Sequence, residues 1–273
     1  MSKLYLVGTP IGNLNDFSPR AIETLNAVDF IAAEDTRVTL KLLNRFEISK
    51  PMVSYYQHNM KESGAKIVSR IQGGESCALV TDAGMPAISD PGEDLVRLCS
   101  EAGIEVVAIP GPSAAVTALA LSALSTVRFT FEGFLPVEKK ERREHLDSLK
   151  GERRTMIFYE APHKLCNTLS DLCAAFGEDR AISLCRELTK LHEEVIRTTL
   201  GEAKERFEKD APRGEFVLVI AGAEKEEMPE ATIDDAVLTA KKLMAEGLSA
   251  SAAAKQAAQL TGLKKGDIYR LLQ

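Results

Sequence analysis

The chain has 273 residues, a formal net charge of -6, 45% apolar and 27% charged side chains, which fits a globular protein of more than one domain and excludes a wholesale basic surface. It has no Trp and only 5% aromatic residues, a poor basis for a platform that stacks single-stranded nucleic acid. The five cysteines form no C-x-x-C pair, no metal-ligand spacing is present, no signal-peptide h-region precedes Leu4, and the longest apolar run, 114–124, is too short to span a bilayer. The expectation is a reduced cytoplasmic protein with no metal and no membrane partner.

Residues 4–7 read as a buried strand, and Ser18-Pro19 is an N-cap and N1 pair opening a helix to about Ala27. A strand at 30–33, a helix at 36–46 and a strand at 52–56 follow. Ile67, Val68 and Ile71 set helical spacing over 61–72. Next come a strand at 77–81, a helix at 91–101, a strand at 106–109 and a helix from Ser113. Short apolar strands separated by helices need crossovers, so this half should form a largely parallel sheet covered on both faces.

Near 122–127 the pattern changes. Strands are expected at 130–134, 155–159, 181–186, 194–199 and 216–221, with helices at 137–149, 164–176 and up to Lys209. This half reads as mixed rather than parallel. Residues 224–230 are acidic, carry Pro229 and read as a linker, before helices at 233–245, 249–260 and 264–272. The expected fold class is α/β: an N-terminal α/β lobe at 1–123, a mixed α/β lobe at 124–223, an acidic linker at 224–232 and a helical appendage at 233–273.

Three turns carry chemical interest. Thr81-Asp82-Ala83-Gly84-Met85-Pro86-Ala87-Ile88-Ser89-Asp90-Pro91-Gly92 is a stiff, irregular loop after a buried strand, where open α/β sheets place ligands. Its main-chain groups suit an adenine or a ribose, and Asp82 suits an ammonium or hydroxyl; its plain alternative is a turn with Pro91 at a helix N1. Ile109-Pro110-Gly111-Pro112-Ser113-Ala114-Ala115 is the second turn, with Ser113 at an N-cap position. Gly8-Thr9-Pro10-Ile11-Gly12-Asn13-Leu14 is neither G-x-G-x-x-G nor a P-loop.

These turns, with Ala33-Glu34-Asp35-Thr36-Arg37, resemble the tetrapyrrole methylase (class III) superfamily. Phe158-Tyr159-Glu160-Ala161-Pro162-His163-Lys164 and Cys185-Arg186-Glu187-Leu188-Thr189-Lys190 resemble one branch of it, the bacterial 16S ribosomal RNA cytidine 2′-O-methyltransferases. The resemblance spans nearly the whole chain. It implies two α/β lobes with S-adenosylmethionine in the cleft between them, a homodimer, and 16S rRNA within the small ribosomal subunit as partner. Position by position it implies donor contacts from Pro10, Asp82, Gly84, Met85, Ala87, Ile88, Ser113, Ala114, Tyr159, Glu160 and Leu188. Enzymes acting on tetrapyrroles commonly carry Gly-Asp-Pro where this chain has Asp82-Ala83-Gly84, which favours the RNA branch over a tetrapyrrole or other small-molecule methylase.

Transfer from a sulfonium is an in-line displacement, and a ribose hydroxyl is a poor nucleophile that benefits from a general base. Glu34, Asp35, Glu160, His163 and Glu187 are the candidates. Glu34 or Asp35, with Arg37, is expected at the acceptor side, although Asp35 or Thr36 capping a helix while Arg37 pairs with a neighbour explains the motif equally well. The cluster Lys139, Lys140, Arg142 and Arg143 is interleaved with acids and reads as a solvated helix face. Lys255, Lys264, Lys265 and Arg270 face only Asp267, and the helix, Gly turn and helix around them resemble a helix-turn-helix, expected to help dock RNA. A G-x-S-x-G hydrolase elbow is only partly imitated at 111–115, because the final Gly is missing and Pro112 restricts the turn. A non-catalytic RNA-binding module would not need the stiff ligand loop.

Overall fold

The computed structural model describes residues 2–224 and 232–272, which form two compact units, Met1–Ala223 and Glu224–Gln273. Apart from Glu224 and Thr232, the expected linker lies outside the described residues.

In the larger unit the first sheet is built from β1 (Leu4–Val7), β2 (Phe30–Ala33), β3 (Met52–Ser54), β4 (Cys77–Val80) and β5 (Val106–Ile109). Their order is β3-β2-β4-β1-β5, and every pairing is parallel. Alternate side chains face opposite layers. Tyr5 and Val7 join α1 (Pro19–Ala27) and α2 (Thr36–Arg45) in one core. Leu4 and Leu6 join α3 (Met60–Gln72) and α4 (Glu93–Glu101) in the other. Steps toward β3 thus run over one face and steps toward β5 over the other, as right-handed crossovers require. The chain leaves adjacent β4 and β1 in opposite directions, which makes their C-terminal ends a topological switch point.

The second sheet has the order β6-β7-β10-β8-β9, from β6 (Phe129–Phe134), β7 (Thr155–Glu160), β8 (Ala181–Arg186), β9 (Glu194–Thr199) and β10 (Phe216–Ile220). Only β6 and β7 are parallel; the other pairs are antiparallel, so the sheet is mixed. One face carries α7 (Leu165–Phe176) and α8 (Leu200–Lys209), with Leu146 of α6 (Lys139–Ser148) in the same core. The other face is covered by α5 (Ala114–Leu121), whose Ala115, Ala118 and Leu119 pack on Ile157, Val217 and Val219. The helix that leaves the first sheet therefore seals the second, and its apolar composition follows from that position.

Local chemistry accounts for most boundaries. Ser18 accepts the Ala21 N–H at 3.1 Å with Pro19 behind it, and Thr199 caps α8. The helix expected from Pro91 starts at Glu93, because Gly92 at φ 146° breaks the chain direction first; Pro91 is not the first helical residue. Ser113 occupies the N-cap position of α5 but makes no capping hydrogen bond. The strand at 52–56 is shorter than expected, ending at Ser54. No helix among the described residues is long and apolar enough to cross a membrane, and all five cysteines are free.

The smaller unit packs α9 (Ile233–Ala245), α10 (Ala250–Thr261) and α11 (Lys265–Leu271) around Ala236, Ala240, Ala253, Ala254, Ala257 and Ile268. Thr232 and Asp235 form a reciprocal capping box on α9. Gly262, left-handed at φ 73°, ends α10 and turns the chain into α11 through Leu263 and Lys264.

The tight contact that matters for the ends of the first sheet is the crossing of Gly8 and Gly111. A Cβ on Gly111 would lie 2.7 Å from Gly8 Cα and 2.8 Å from its carbonyl carbon, backbone that cannot swing away. Gly111→Ala is expected to destabilise by about 1–3 kcal/mol, the usual range for overpacking. Gly103→Ala, with nothing within 4 Å of the new methyl but φ at 69°, separates steric overlap from left-handed strain. Urea denaturation of both variants checks the ranking, with Gly111→Ala the more damaging.

Candidate active site

A cavity of about 420 Å³ opens at the switch point, between the C-terminal ends of the first sheet and the facing surface of the second. That volume lies within the roughly 300–1,000 Å³ common for small-molecule sites. Its walls come from the 82–92 loop, Ile11, the start of α5, the ends of β6 and β7, and the segment around Leu188.

The loops are held by one another. Thr9 and Gly84 form an isolated antiparallel bridge, with N–H to O distances of 2.9 and 3.2 Å. The Thr9 hydroxyl also donates to the Thr81 carbonyl at 3.1 Å. From Asp82 to Pro91, Gly84 is the only described residue whose main chain bonds to other main chain. The remaining donors and acceptors of that loop are left to ligand or water. Ala87 and Ser89 sit at φ 70° and 60°, and Glu187 and Thr189 of the opposing segment at 52° and 66°. Such non-Gly conformations cost of order 1–3 kcal/mol each and gather at ligand sites.

Across the gap, Tyr159 holds the second sheet to α5. Its hydroxyl accepts the Ala115 N–H at 3.1 Å, and its ring meets Phe131 and Phe134 edge-on at 5.0 and 5.6 Å. Burial raises the Tyr159 pKa, so the phenol stays neutral. Glu187 accepts the Glu215 N–H at 2.9 Å and the Lys190 ammonium at 3.0 Å. Gly12 lies so close to Leu188, Thr189 and Lys190 that a Cβ there would stand 2.5 Å from Lys190 Cγ. The first loop of one lobe thus touches the closing segment of the other.

The first-lobe wall is acidic. Glu34 accepts the Thr81 hydroxyl at 2.7 Å, and Asp82 accepts the Asp35 N–H at 3.2 Å. Burial, then the neighbouring Glu34, raises the pKa of Asp82. The same two causes, in the same order, push Asp90 up to about 6. Three carboxylates facing one cavity favour a cationic ligand.

Of the residues singled out in the sequence, Glu34, Asp82, Gly84, Met85, Ile88, Ser113, Ala114, Tyr159, Glu160 and Leu188 are brought together on the cavity wall. Pro10, Ala87, Asp35 and Arg37 are not among the lining residues. Ile11 lines the cavity instead of Pro10. Ala87 packs back against Gly92. Asp35 caps α2 by accepting the Arg37 N–H at 2.8 Å and pairs with the Arg37 guanidinium at 2.6 Å, which holds its carboxyl well below the usual range. The structure therefore shows the capping arrangement at 35–37. Glu160 faces the cavity but its oxygens are occupied, by the Ala161 N–H at 2.8 Å and the Thr168 hydroxyl. Ser113 has an ordinary extended φ of -138°, not the strained turn of a nucleophile elbow, and no histidine lines the cavity. Asp90 was not singled out, although a carboxylate in a stiff ligand loop was the available signal. Phe134 and Cys185 were not singled out either; nothing in a strand pattern distinguishes them.

The profile of the Tetrapyrrole (Corrin/Porphyrin) Methylases matches residues 3–204. A Synechocystis sp. protein named ribosomal RNA small subunit methyltransferase I is 49% identical over 271 residues, 99% of this chain and 97% of that protein. A Bacillus subtilis protein of the same name is 46% identical, covering 98% and 93% of the two chains. Among solved structures, a diphthine synthase superposes with a TM-score of 0.62 at 16% identity, over 81% of this chain and 90% of that one. A cobalt precorrin-4 methyltransferase gives 0.60 at 17%, over 80% and 94%. At those identities the structures share the fold alone, but the profile and the near-full-length relatives establish that this chain belongs to the tetrapyrrole methylase family.

Proposed function

We propose that the chain transfers a methyl group from S-adenosylmethionine to the ribose 2′-hydroxyl of a cytidine in the 16S RNA of the small ribosomal subunit. The relatives' shared name supports the substrate class. The observation that carries methyl transfer is the acid-walled cavity at the switch point, lined by a loop whose main-chain groups are unspent.

The residues fit the donor. S-adenosylmethionine, when bound, supplies a methyl carbon on a cationic sulfonium, open to in-line attack by oxygen. Asp82, Asp90 and Glu34 oppose its positive charges. Met85, Ile88, Leu188 and Ile11 offer apolar cover, and the free N–H and C=O groups of the 82–92 loop offer adenosine its hydrogen bonds. Gly84, Ser113, Ala114 and Tyr159 complete the assigned donor wall. Pro10 and Ala87 are assigned to shaping the loops behind it, and Glu160 to fixing the turn after β7.

Asp90 is assigned as the proton acceptor, with Glu34 holding its charge environment through Thr81. The ribose oxygen forms the new O–C bond as the C–S bond breaks, and the hydroxyl proton passes to Asp90. A base whose pKa lies near working pH is the efficient choice. Most of the acceleration is assigned to holding oxygen and methyl in line between two lobes that already touch at Gly12. Lys255, Lys264, Lys265 and Arg270 are proposed to help bind RNA: the described part of the smaller unit, 232–272, carries six basic and four acidic side chains on a chain of net charge -6. A cytoplasmic homodimer completes the reading, with the exposed Val116, Val127, Phe129 and Leu191 as apolar surface for a second copy.

Labelled methyl is expected to pass from S-adenosylmethionine to small subunits that lack the modification, and nucleoside analysis should return 2′-O-methylcytidine; donor binding without transfer to RNA would move the acceptor elsewhere. Asp90→Asn should cut the single-turnover rate at least 100-fold, since general bases contribute about 10²–10⁴. The wild-type rate should rise with pH through about 6, where Asp90 ionises, and that limb should vanish in the variant. Stability should move the other way. An acid whose pKa is raised on folding, from 3.8 to about 6, binds its proton more tightly when folded, so its cost grows between those values and is complete above them. Asp90→Asn should therefore stabilise by about 1 kcal/mol at pH 7.5, solvent screening of the partly exposed carboxylate discounting the full shift, and by almost nothing at pH 4, measured by chemical denaturation at both. Removing residues 232–273 should weaken RNA binding while calorimetric donor binding persists.

A further inference from the structure

A second concavity, of about 850 Å³, lies in the larger unit between α6 and α7. Five cations line it, Lys139, Arg142, Arg143, Lys150 and Lys164, against only Asp147 and Asp171. A local charge of three positives on a chain of net charge -6 is a segregated feature. The acids do not neutralise it. Asp171 pairs with Arg142 at 2.6 Å, and Asp147 is shared between Lys150 at 2.7 Å and Arg143 at 3.8 Å. Among the described residues no acid lies within ion-pairing reach of Lys139 or Lys164, and both are exposed.

The groove shares a wall with the cavity. Phe134 faces the cavity while Leu135, Pro136 and Val137 line the groove; Glu160, Ala161 and Pro162 face the cavity while Lys164 and Thr168 line the groove. One hydrogen-bond chain crosses the wall: Thr168 donates to Glu160 and accepts from Arg142 at 2.8 Å. Arg142 is thereby fixed in place, its side chain 15% exposed, so it lines the groove as a preorganised positive charge. Val137, 81% exposed, stands at the mouth.

We propose that this groove holds the phosphate backbone of the RNA strand adjoining the target nucleotide. The proposal rests on the ribosomal RNA reading above and adds where the strand runs. A row of cations with unneutralised members beside a catalytic cavity is what a polyanion threading past that cavity requires, because phosphate contacts set register and orientation. Interleaved acids at Glu138, Glu141 and Glu144 made this helix read as a solvated face in sequence; none of them lines the groove.

The test is the salt dependence of binding to RNA from unmodified small subunits, for wild type and for the Lys139→Ala, Lys164→Ala double variant. Neither substitution orphans an acid, so the variant should fold, which its unchanged donor affinity by calorimetry would register. Each lost phosphate contact lowers the slope of log K against log salt by about 0.7 for a single strand. The slope should therefore fall by about 1.4, with roughly tenfold weaker binding at physiological salt. Methyl transfer at subsaturating RNA should fall in parallel and recover at saturation. An unchanged slope in a variant that still binds donor overturns the groove and leaves the reaction standing. Weaker binding to intact subunits with naked RNA unaffected would assign the groove to an acidic protein and also overturn it. A wild-type protein that neither binds nor methylates the RNA overturns both readings.

Discussion

Gly8 and Gly111 press their main chains together at the ends of β1 and β5, and one residue later Thr9 bridges to Gly84 at the end of β4. Three consecutive strands of the first sheet, β4-β1-β5, thus have their outgoing loops fixed by backbone contacts. The buried Thr9 hydroxyl reinforces that lock by donating to the Thr81 carbonyl. Everything at the site inherits this geometry. The 82–92 loop can leave most of its main chain unpaired because the Gly84 bridge anchors it, and α5 starts where Gly111 places it. From there α5 reaches the second sheet, where Tyr159 accepts the Ala115 N–H.

Charge is distributed with the same economy. The cavity gathers Glu34, Asp82 and Asp90, and there desolvation first, then repulsion from Glu34, raises Asp82 and Asp90. Proteins tolerate such a cluster when a ligand relieves it, and a sulfonium with an ammonium is suited to do so. At the cavity the lining Lys190 is paired with Glu187 and Glu215, while the unpaired cations Lys139 and Lys164 stand in the groove on the far side of the β6 and β7 ends. A cationic donor and a polyanionic acceptor need opposite fields within one reaction, and separating them across a shared wall prevents each site from neutralising the other. The overall charge of -6 conceals this division.

Elements were legible where one local rule dominated. Ser18-Pro19, the capping of α9 and Gly262 each specify a helix end within a few residues, and both sheets follow from the spacing of apolar runs. Pro91 is a good N1 residue and points to a helix start there, yet α4 starts at Glu93, because Gly92 at φ 146° fits against Leu79 and Ala87 where no side chain could. That constraint is tertiary. At Asp35 and Arg37 the sequence leaves a catalytic and a capping reading equally open, and the cap and the ion pair are both formed in the structure. Asp90 is not legible in the sequence because its raised pKa comes from burial in the folded loop and then from Glu34, 56 positions earlier in the chain, and no spacing rule connects them.

The wall between cavity and groove shows why two lobes serve this chemistry better than one. A single parallel sheet can hold a donor at its switch point, but its helices already cover both faces and leave no second surface beside the ligand. The mixed sheet supplies one. Its β6 and β7 run parallel and end together: their last residues, Phe134 and Glu160, line the cavity, while Val137 and Lys164 just beyond them line the groove. The buried hydroxyl of Thr168 joins the two sides through Glu160 and Arg142. Replacing that hydroxyl would leave a buried carboxylate short of a donor, a cost of about 1–3 kcal/mol or more. Thr168 therefore holds both surfaces in register, and a strand bound outside and a methyl held inside would meet at a distance set by the protein.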